Sequence, residues 1–175
     1  VPLSLALNYA VGGLNPFGYH LVNLLLHLAV CSALYALARR LGLSWVAALA
    51  TSILFAVHPL HTEAVTGIVG RAELLMALGV LLAVQWYLRG GAPARLGIRC
   101  ALASWTALAV ALLSKEQAMM VPFLLVLADL CLVRAVNGGG DWGQAARTAW
   151  RRYLGYFLIL GAYLAERHPP SKRGG

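Results

Sequence analysis

The chain has 175 residues, of which 61% are hydrophobic and only 11% are charged, and its mean hydropathy is +0.74. Soluble domains carry roughly a quarter charged residues, so this composition excludes an ordinary soluble domain and points to a membrane. The net charge of +8 would suggest a nucleic-acid partner in a soluble chain. Here the basic residues stand in short clusters between apolar runs, and no aromatic-plus-basic stripe for single strands is present, so membrane topology accounts for them and no nucleic-acid partner is expected.

The chain opens on Val1 rather than Met, with no signal peptide in view, and the start of the protein is expected to lie upstream. Residues 2–12, PLSLALNYAVG, read as a short amphipathic helix or interfacial segment, ended by the turn formers of GGLNPFG. A first apolar stretch from Phe17 to Ala38 has about twenty residues, enough to cross roughly 30 Å of hydrocarbon, and Arg39 and Arg40 end it. Trp45 to Val57 is a second stretch, which reaches span length only if Leu43 and Leu60 are included. HPLHTEAVTGIVGRAE, residues 58–73, then gathers two histidines, two glutamates and an arginine in one interruption. Leu74 to Leu88 is the third span, and RGGAPARLGIR (89–99) a basic loop. Cys100 to Leu113 is the fourth span, ended by Ser114, Lys115 and Glu116; Met119 to Val133 is the fifth. Residues 134–152 read as a polar, Gly-rich, basic loop, Tyr153 to Ala165 as a sixth span, and 166–175 as a disordered tail. The expected architecture is all-α, a polytopic membrane helix bundle of five to six spans over 17–165, preceded by the end of a loop at 1–16.

Loops on one side of such a bundle carry nine basic residues: Arg39, Arg40, Arg89, Arg95, Arg99, Arg134, Arg147, Arg151 and Arg152. The opposite loops carry two, Arg71 and Lys115. The positive-inside rule makes the first set cytosolic and places the 58–73 and 114–117 loops, with residues 1–16, on the lumenal or exterior face. Arg167, Lys172 and Arg173 in the tail are the exception. Cys31, Cys100 and Cys131 lie in or beside apolar segments without a CxxC pair, and read as small buried hydrophobes rather than as a disulfide or zinc site.

Arg71 opens a helix at the membrane face, where a free guanidinium fork suits a phosphate. The alternative is that it pairs with Glu63 or Glu73, or snorkels to headgroups. His58, His61 and Glu63 do not have the HExxH order of a zinc helix, and no metal site is expected; a proton-transfer role or a hydrogen-bonded interfacial cluster both stay open. His20, Asn23 and His27 share one face of the first span, either as interhelical hydrogen-bonding groups or as a stripe leading down from a site. Lys115 and Glu116 read as interfacial anchors, or Lys115 supplies a second positive charge to a lipid-linked phosphate. Asp129 lies about one turn from Arg134, as a structural pair.

Three motifs, LNPFGYHLVNLLLHLAVCSALYALARRL, FAVHPLHTEAVTGIVGRAELL and LLSKEQAMMVPFLLVLADL, resemble in order and spacing the transmembrane and tetratricopeptide-repeat O-mannosyltransferases, membrane glycosyltransferases of GT-C architecture; the likeness covers about residues 1–135. The resemblance implies an endoplasmic reticulum multi-pass membrane enzyme. It moves mannose from dolichyl phosphate mannose to Ser or Thr of secretory-pathway acceptors such as cadherins, without a cofactor beyond that lipid-linked donor. It implies donor-phosphate contacts at Arg71 and Lys115, and a site wall of His58, His61, Glu63, Glu73 and Glu116. It also implies that the family's first span and first lumenal loop lie before Val1. The expected catalytic acids belong to that loop, so no catalytic residue is named within this chain. The tetratricopeptide array has no counterpart here either. The chain therefore reads as a fragment, expected to be inactive alone. The alternatives are a non-catalytic membrane adaptor and a transporter-like subunit; a transporter would place charges or broken helices at mid-membrane.

Overall fold

A computed structural model describes residues 1–67, 70–90, 97–127, 129 and 142–167. All regular structure among them is helical. Helix α1 is Pro2–Gly12 and α2 is Pro16–Arg40. Val1 stands at the N-cap of α1, and its carbonyl accepts from the Ser4 N–H at 3.0 Å and the Ser4 hydroxyl at 2.9 Å. The GGLNPFG break works as its composition suggests: the Asn15 side chain accepts from the Phe17 N–H at 3.0 Å, and Pro16 occupies the first helical position, where its missing N–H costs nothing. After α2 the chain reverses through Gly42, whose φ of 91° is a left-handed conformation that suits glycine. Ser44 caps α3, Trp45–Val57, by accepting from the Ala47 N–H at 3.2 Å.

Helix α3 stops at Val57 because of Pro59. The residue before a proline is driven out of the helical region, and His58 is extended at φ −68°, ψ 131°. A 3₁₀ turn, Pro59–His61, and a single-turn helix α4, Thr62–Thr66, follow, with the axis bent by 54° from α3. At 13 residues, α3 is about 20 Å long. The span expected from Leu43 to Leu60 is thus corrected: Leu43 precedes the cap and Leu60 lies in the 3₁₀ turn.

Helix α5 is Arg71–Arg89 and α6 is Ile98–Ser114. A 3₁₀ segment Glu116–Met120 runs into α7 at 121–127, and α8 is Trp142–Arg167. The expected polar loop 134–152 is therefore shorter: residues 142–152 are already the first turns of α8, because QAARTAWRR is rich in helix formers whatever its polarity. Its earlier part, 134–141, lies outside the described residues, as do 91–96 of the basic loop, 128 and 130–133 of the fifth span and 168–175 of the tail.

Pairwise contacts set the directions. Ser52 donates to the Cys31 carbonyl and His27 meets the Ala56 carbonyl, so α3 runs antiparallel to α2. Asn23 meets Arg71, and Gln85 donates to the Ala33 carbonyl, so α5 runs parallel to α2. Ser104 donates to the Ala83 carbonyl while Lys115 meets Glu73, so α6 is antiparallel to α5. Tyr156 meets Ser104 and Arg167 meets Glu116, so α8 is parallel to α6. The long helices thus alternate across the bundle. Its core is Ala83, Tyr87, Leu108, Ala111, Leu112, Val121, Leu125, Tyr156 and Leu160. Helices α5 and α6 touch closely at Gly79, where an added Cβ would lie 2.9 Å from the Ala107 carbonyl oxygen and the Ala111 Cβ; small residues at a helix contact are how membrane helices gain packing.

By length and composition, α2 and α5 can cross a membrane, and α3 with the bent Pro59–Thr66 segment would be a third span. Helices α2 and α5 match the first and third of the five to six expected spans. Helix α6 and the Glu116–Leu127 segment are apolar but shorter. Large apolar side chains stay exposed along the bundle, among them Leu21, Leu25 and Leu28 of α2 and Leu124 and Leu127 of α7, as a lipid-facing surface requires.

Candidate functional site

The helix directions bring one set of termini together: the starts of α2 and α5, the 58–67 connection, the end of α6 with Lys115 and Glu116, and the end of α8. This end of the bundle holds every residue singled out in the 58–73 and 114–117 motifs. The opposite end holds Arg39, Arg40 and Arg89. There the Arg39 Nη1 donates to the Leu43 carbonyl at 2.7 Å, and the Arg89 guanidinium lies 4.7 Å from the Trp86 ring centroid.

Two ion pairs form at the charged end. Lys115 Nζ lies 2.7 Å from Glu73 Oε1, with the side chains 32% and 54% exposed. Arg167 Nη1 lies 2.6 Å from Glu116 Oε2, and also donates to the Tyr163 hydroxyl at 2.7 Å. Both pairs are open to solvent, so each contributes little to stability, on the order of 0–1 kcal/mol. Glu63 is exposed on α4.

Arg71 is different. Its side chain is fully buried. Nε donates to Asn23 Oδ1 at 2.9 Å, Nη1 to the Ser4 carbonyl at 3.1 Å, and Nη2 to Asn8 Oδ1 at 3.1 Å and the Tyr19 carbonyl at 3.2 Å. Its guanidinium carbon lies 5.7 Å from the Tyr19 ring centroid. Asn23 is itself buried, and its amide donates to the Gly67 carbonyl at 2.9 Å and the Val65 carbonyl at 3.4 Å. The free fork expected at the membrane face is therefore corrected: the fork is spent on neutral oxygens of α1 and α2, and the ion pair with Glu63 or Glu73 is replaced by Lys115–Glu73. A buried guanidinium demands acceptors on every side, and α1 and α2 supply them.

The histidines pack as rings. His61 packs tilted against Phe55 at 4.0 Å between centroids, 5.9 Å from His27 and 5.8 Å from His58. His27 Nε2 lies 3.1 Å from the Ala56 carbonyl oxygen, so this nitrogen carries the proton, while Nδ1 is buried without a hydrogen-bond partner. His58 is exposed, and its Nδ1 accepts from the Leu60 N–H at 3.3 Å. Of the stripe His20, Asn23 and His27, the last two serve interhelical hydrogen bonding. His20 is exposed and lines an apolar groove of about 280 Å³ with Phe17, Leu21, Leu24, Val65 and Thr66. Among the described residues, no group of three or more His, Cys, Asp and Glu side chains is arranged to hold a metal ion.

The catalytic acids expected before Val1 lie outside the described residues, which begin at Val1 itself. Val1 is no part of the charged cluster: its contacts are those of a helix cap, to Ser4 and Leu5. The acidic side chains described at the charged end are Glu63, Glu73, Glu116 and Glu166, with Glu73 and Glu116 held in the two ion pairs.

Proteins of known identity carry a similar sequence. The chain is 41% identical to protein O-mannosyl-transferase Tmtc1 of Drosophila melanogaster, over 92% of this chain and 20% of that protein. It is 44% identical to protein O-mannosyl-transferase TMTC3 of Homo sapiens, over 68% of this chain and 13% of that protein, and 43% identical to protein O-mannosyl-transferase Tmtc2 of Drosophila melanogaster, over 79% and 15%. The chain is a homologue of the TMTC protein O-mannosyl-transferases. It spans 20% or less of the length of these relatives. No family model and no solved structure matches it.

Several contacts of this TMTC homologue were not legible in its motifs. Asn8 and the Ser4 carbonyl, on a helix read only as interfacial, are ligands of Arg71. The one sign was an asparagine in an apolar helix. Asp129 accepts from the Tyr87 and Tyr153 hydroxyls, the latter at 2.6 Å; its expected pair with Arg134 lies outside the described residues. Helix α8 brings Tyr153 there, and nothing local to Asp129 announces it.

Proposed function

We propose that this chain forms part of an endoplasmic reticulum O-mannosyltransferase, a GT-C-like bundle in which α2, α3, α5, α6, α7 and α8 are the six crossings. The charged end faces the lumen. The donor is dolichyl phosphate mannose and the acceptor is a Ser or Thr hydroxyl of a cadherin-type protein. In the reaction the hydroxyl oxygen bonds to the mannosyl C1 as the C1–O bond to phosphate breaks. The bond pair leaves on dolichyl phosphate, and the hydroxyl proton passes to a carboxylate.

The observation that carries this reading is the Lys115–Glu73 pair. It is half-exposed at the end where the long helices converge, in a homologue of proteins named O-mannosyl-transferases. A cation at the membrane face stabilises the charge that grows on a departing lipid phosphate. Lys115 is a mobile point charge able to exchange Glu73 for that phosphate. Glu73 keeps the ammonium in place between turnovers. His58, His61, Glu63 and Glu116 form the wall around it. Arg71 stands behind this wall, since its fork is already occupied.

The test is mannosyl transfer from radiolabelled dolichyl phosphate mannose to a cadherin ectodomain acceptor, by microsomes holding the longest native product that contains this chain. Lys115→Ala is expected to lower kcat/KM by about 10- to 100-fold, the worth of one charge-assisted contact. Unchanged transfer in that variant would remove Lys115 from the site. Absence of transfer by the native protein would leave a non-catalytic membrane adaptor as the better account.

A further inference from the structure

Arg71 holds the most elaborate side-chain contacts at the charged end, and the reaction as proposed does not use it. Four hydrogen bonds occupy all three of its nitrogens, and every acceptor is neutral: the Asn23 and Asn8 side chains and the Ser4 and Tyr19 carbonyls. The ion pairs among the described residues are Lys115–Glu73 and Arg167–Glu116, and Arg71 is in neither. A buried charge ringed by neutral oxygens is an orienting device, since each acceptor must come to it in a fixed direction.

Helix α1 shows what is oriented. None of its residues is buried, so apolar packing does little to dock it; Leu3, Leu7 and Val11 are all exposed. Arg71 reaches it twice, at Ser4 and Asn8. Through Asn23 the same guanidinium is tied to the carbonyls of Val65 and Gly67, at the C-terminal end of α4, the helix that carries Glu63. We propose that Arg71 is a positioning residue: with Asn23 it latches α1 and the end of α4 (65–67) onto the head of α2, and so sets the wall from which Lys115 and Glu73 act. The effect on transfer rests on the transferase reading, whereas the latch itself does not.

Two measurements on the full membrane-embedded protein separate these. The first is hydrogen–deuterium exchange in nanodiscs. In Arg71→Ala, amides of residues 4–12 and 65–67 should exchange about tenfold faster or more, as expected for losing a charged hydrogen bond, while α6 stays protected. Arg71→Lys should behave like Arg71→Ala, because one ammonium nitrogen cannot occupy the positions of three guanidinium nitrogens. Asn8→Ala, a milder change, should loosen α1 alone, and it keeps the question answerable if Arg71→Ala does not fold. The second is transfer kinetics. Arg71→Lys and Arg71→Ala should lower kcat alike, with KM for dolichyl phosphate mannose nearly unchanged. Native-like exchange of α1 in Arg71→Ala and in Asn8→Ala would overturn the latch. So would rescue of exchange or kcat by lysine, or a rise in donor KM reversed by lysine, which is what a simple phosphate contact would give. If the native protein transfers no mannose, the exchange experiment still decides the latch.

Discussion

Asn23 has the most connections of any single uncharged side chain at the charged end. It accepts from Arg71 through Oδ1 and donates to Gly67 and Val65 through Nδ2, which uses both ends of its amide. Asn23→Leu would leave the Arg71 Nε–H and the Gly67 carbonyl without this partner in a buried setting. The expected cost is about 1–3 kcal/mol per stranded group, read as a lower Tm in detergent relative to Asn23→Gln; an unchanged Tm would show that water replaces the amide. The spacing of His20, Asn23 and His27 shows in sequence that something polar must be met on that face. The two carbonyls that Asn23 donates to, forty-odd residues away, do not show, because a backbone carbonyl leaves no trace in the residue type.

Helix boundaries are set by local chemistry. Asn15 with Pro16, Ser44, and His58 before Pro59 start and stop their helices where propensity and capping dictate. Hydropathy misplaces the start of α8. It assigns the polar residues 142–152 to a loop, yet it reports lipid contact rather than helicity. Contacts between helices depend on shape. At Gly79 the α5 backbone touches α6, and a Cβ there would meet the Ala107 carbonyl at 2.9 Å. Gly79→Leu is expected to cost about 1–3 kcal/mol by forcing the helices apart. Thermal unfolding in detergent checks this against Leu75→Ala, in the neighbouring groove between α5 and α6, which should be milder.

Across the whole bundle, alternate helix directions sort the charges. Arg39, Arg40 and Arg89 fall at one end; Glu63, Glu73, Lys115, Glu116 and Arg167 fall at the other. The Arg167–Glu116 contact places the C-terminal end of α8 beside the end of α6, as an alternating bundle requires. Single cysteines at Arg40 and Glu116, in a background with Cys31, Cys100 and Cys131 replaced by Ser, should react with a membrane-impermeant maleimide from opposite sides of sealed microsomes. Labelling of both from one side would break the six-crossing arrangement.

Composition and residue order suffice for the all-helical membrane class, for the spans of α2 and α5 and for the grouping of ionisable residues at one end, because those follow from hydropathy and from charge counted along the chain. The resemblance to O-mannosyltransferases was also legible, since motifs are linear. Which charges are open and which are closed was decided by packing. Arg71 and Lys115 read alike as two lone cations in basic-poor loops. Only the arrival of α1 over the head of α2 buries the first among neutral oxygens, while the second stays half-exposed beside Glu73. Burial is a property of neighbours distant in the chain, and the energy of a charge depends on those neighbours more than on its own side chain.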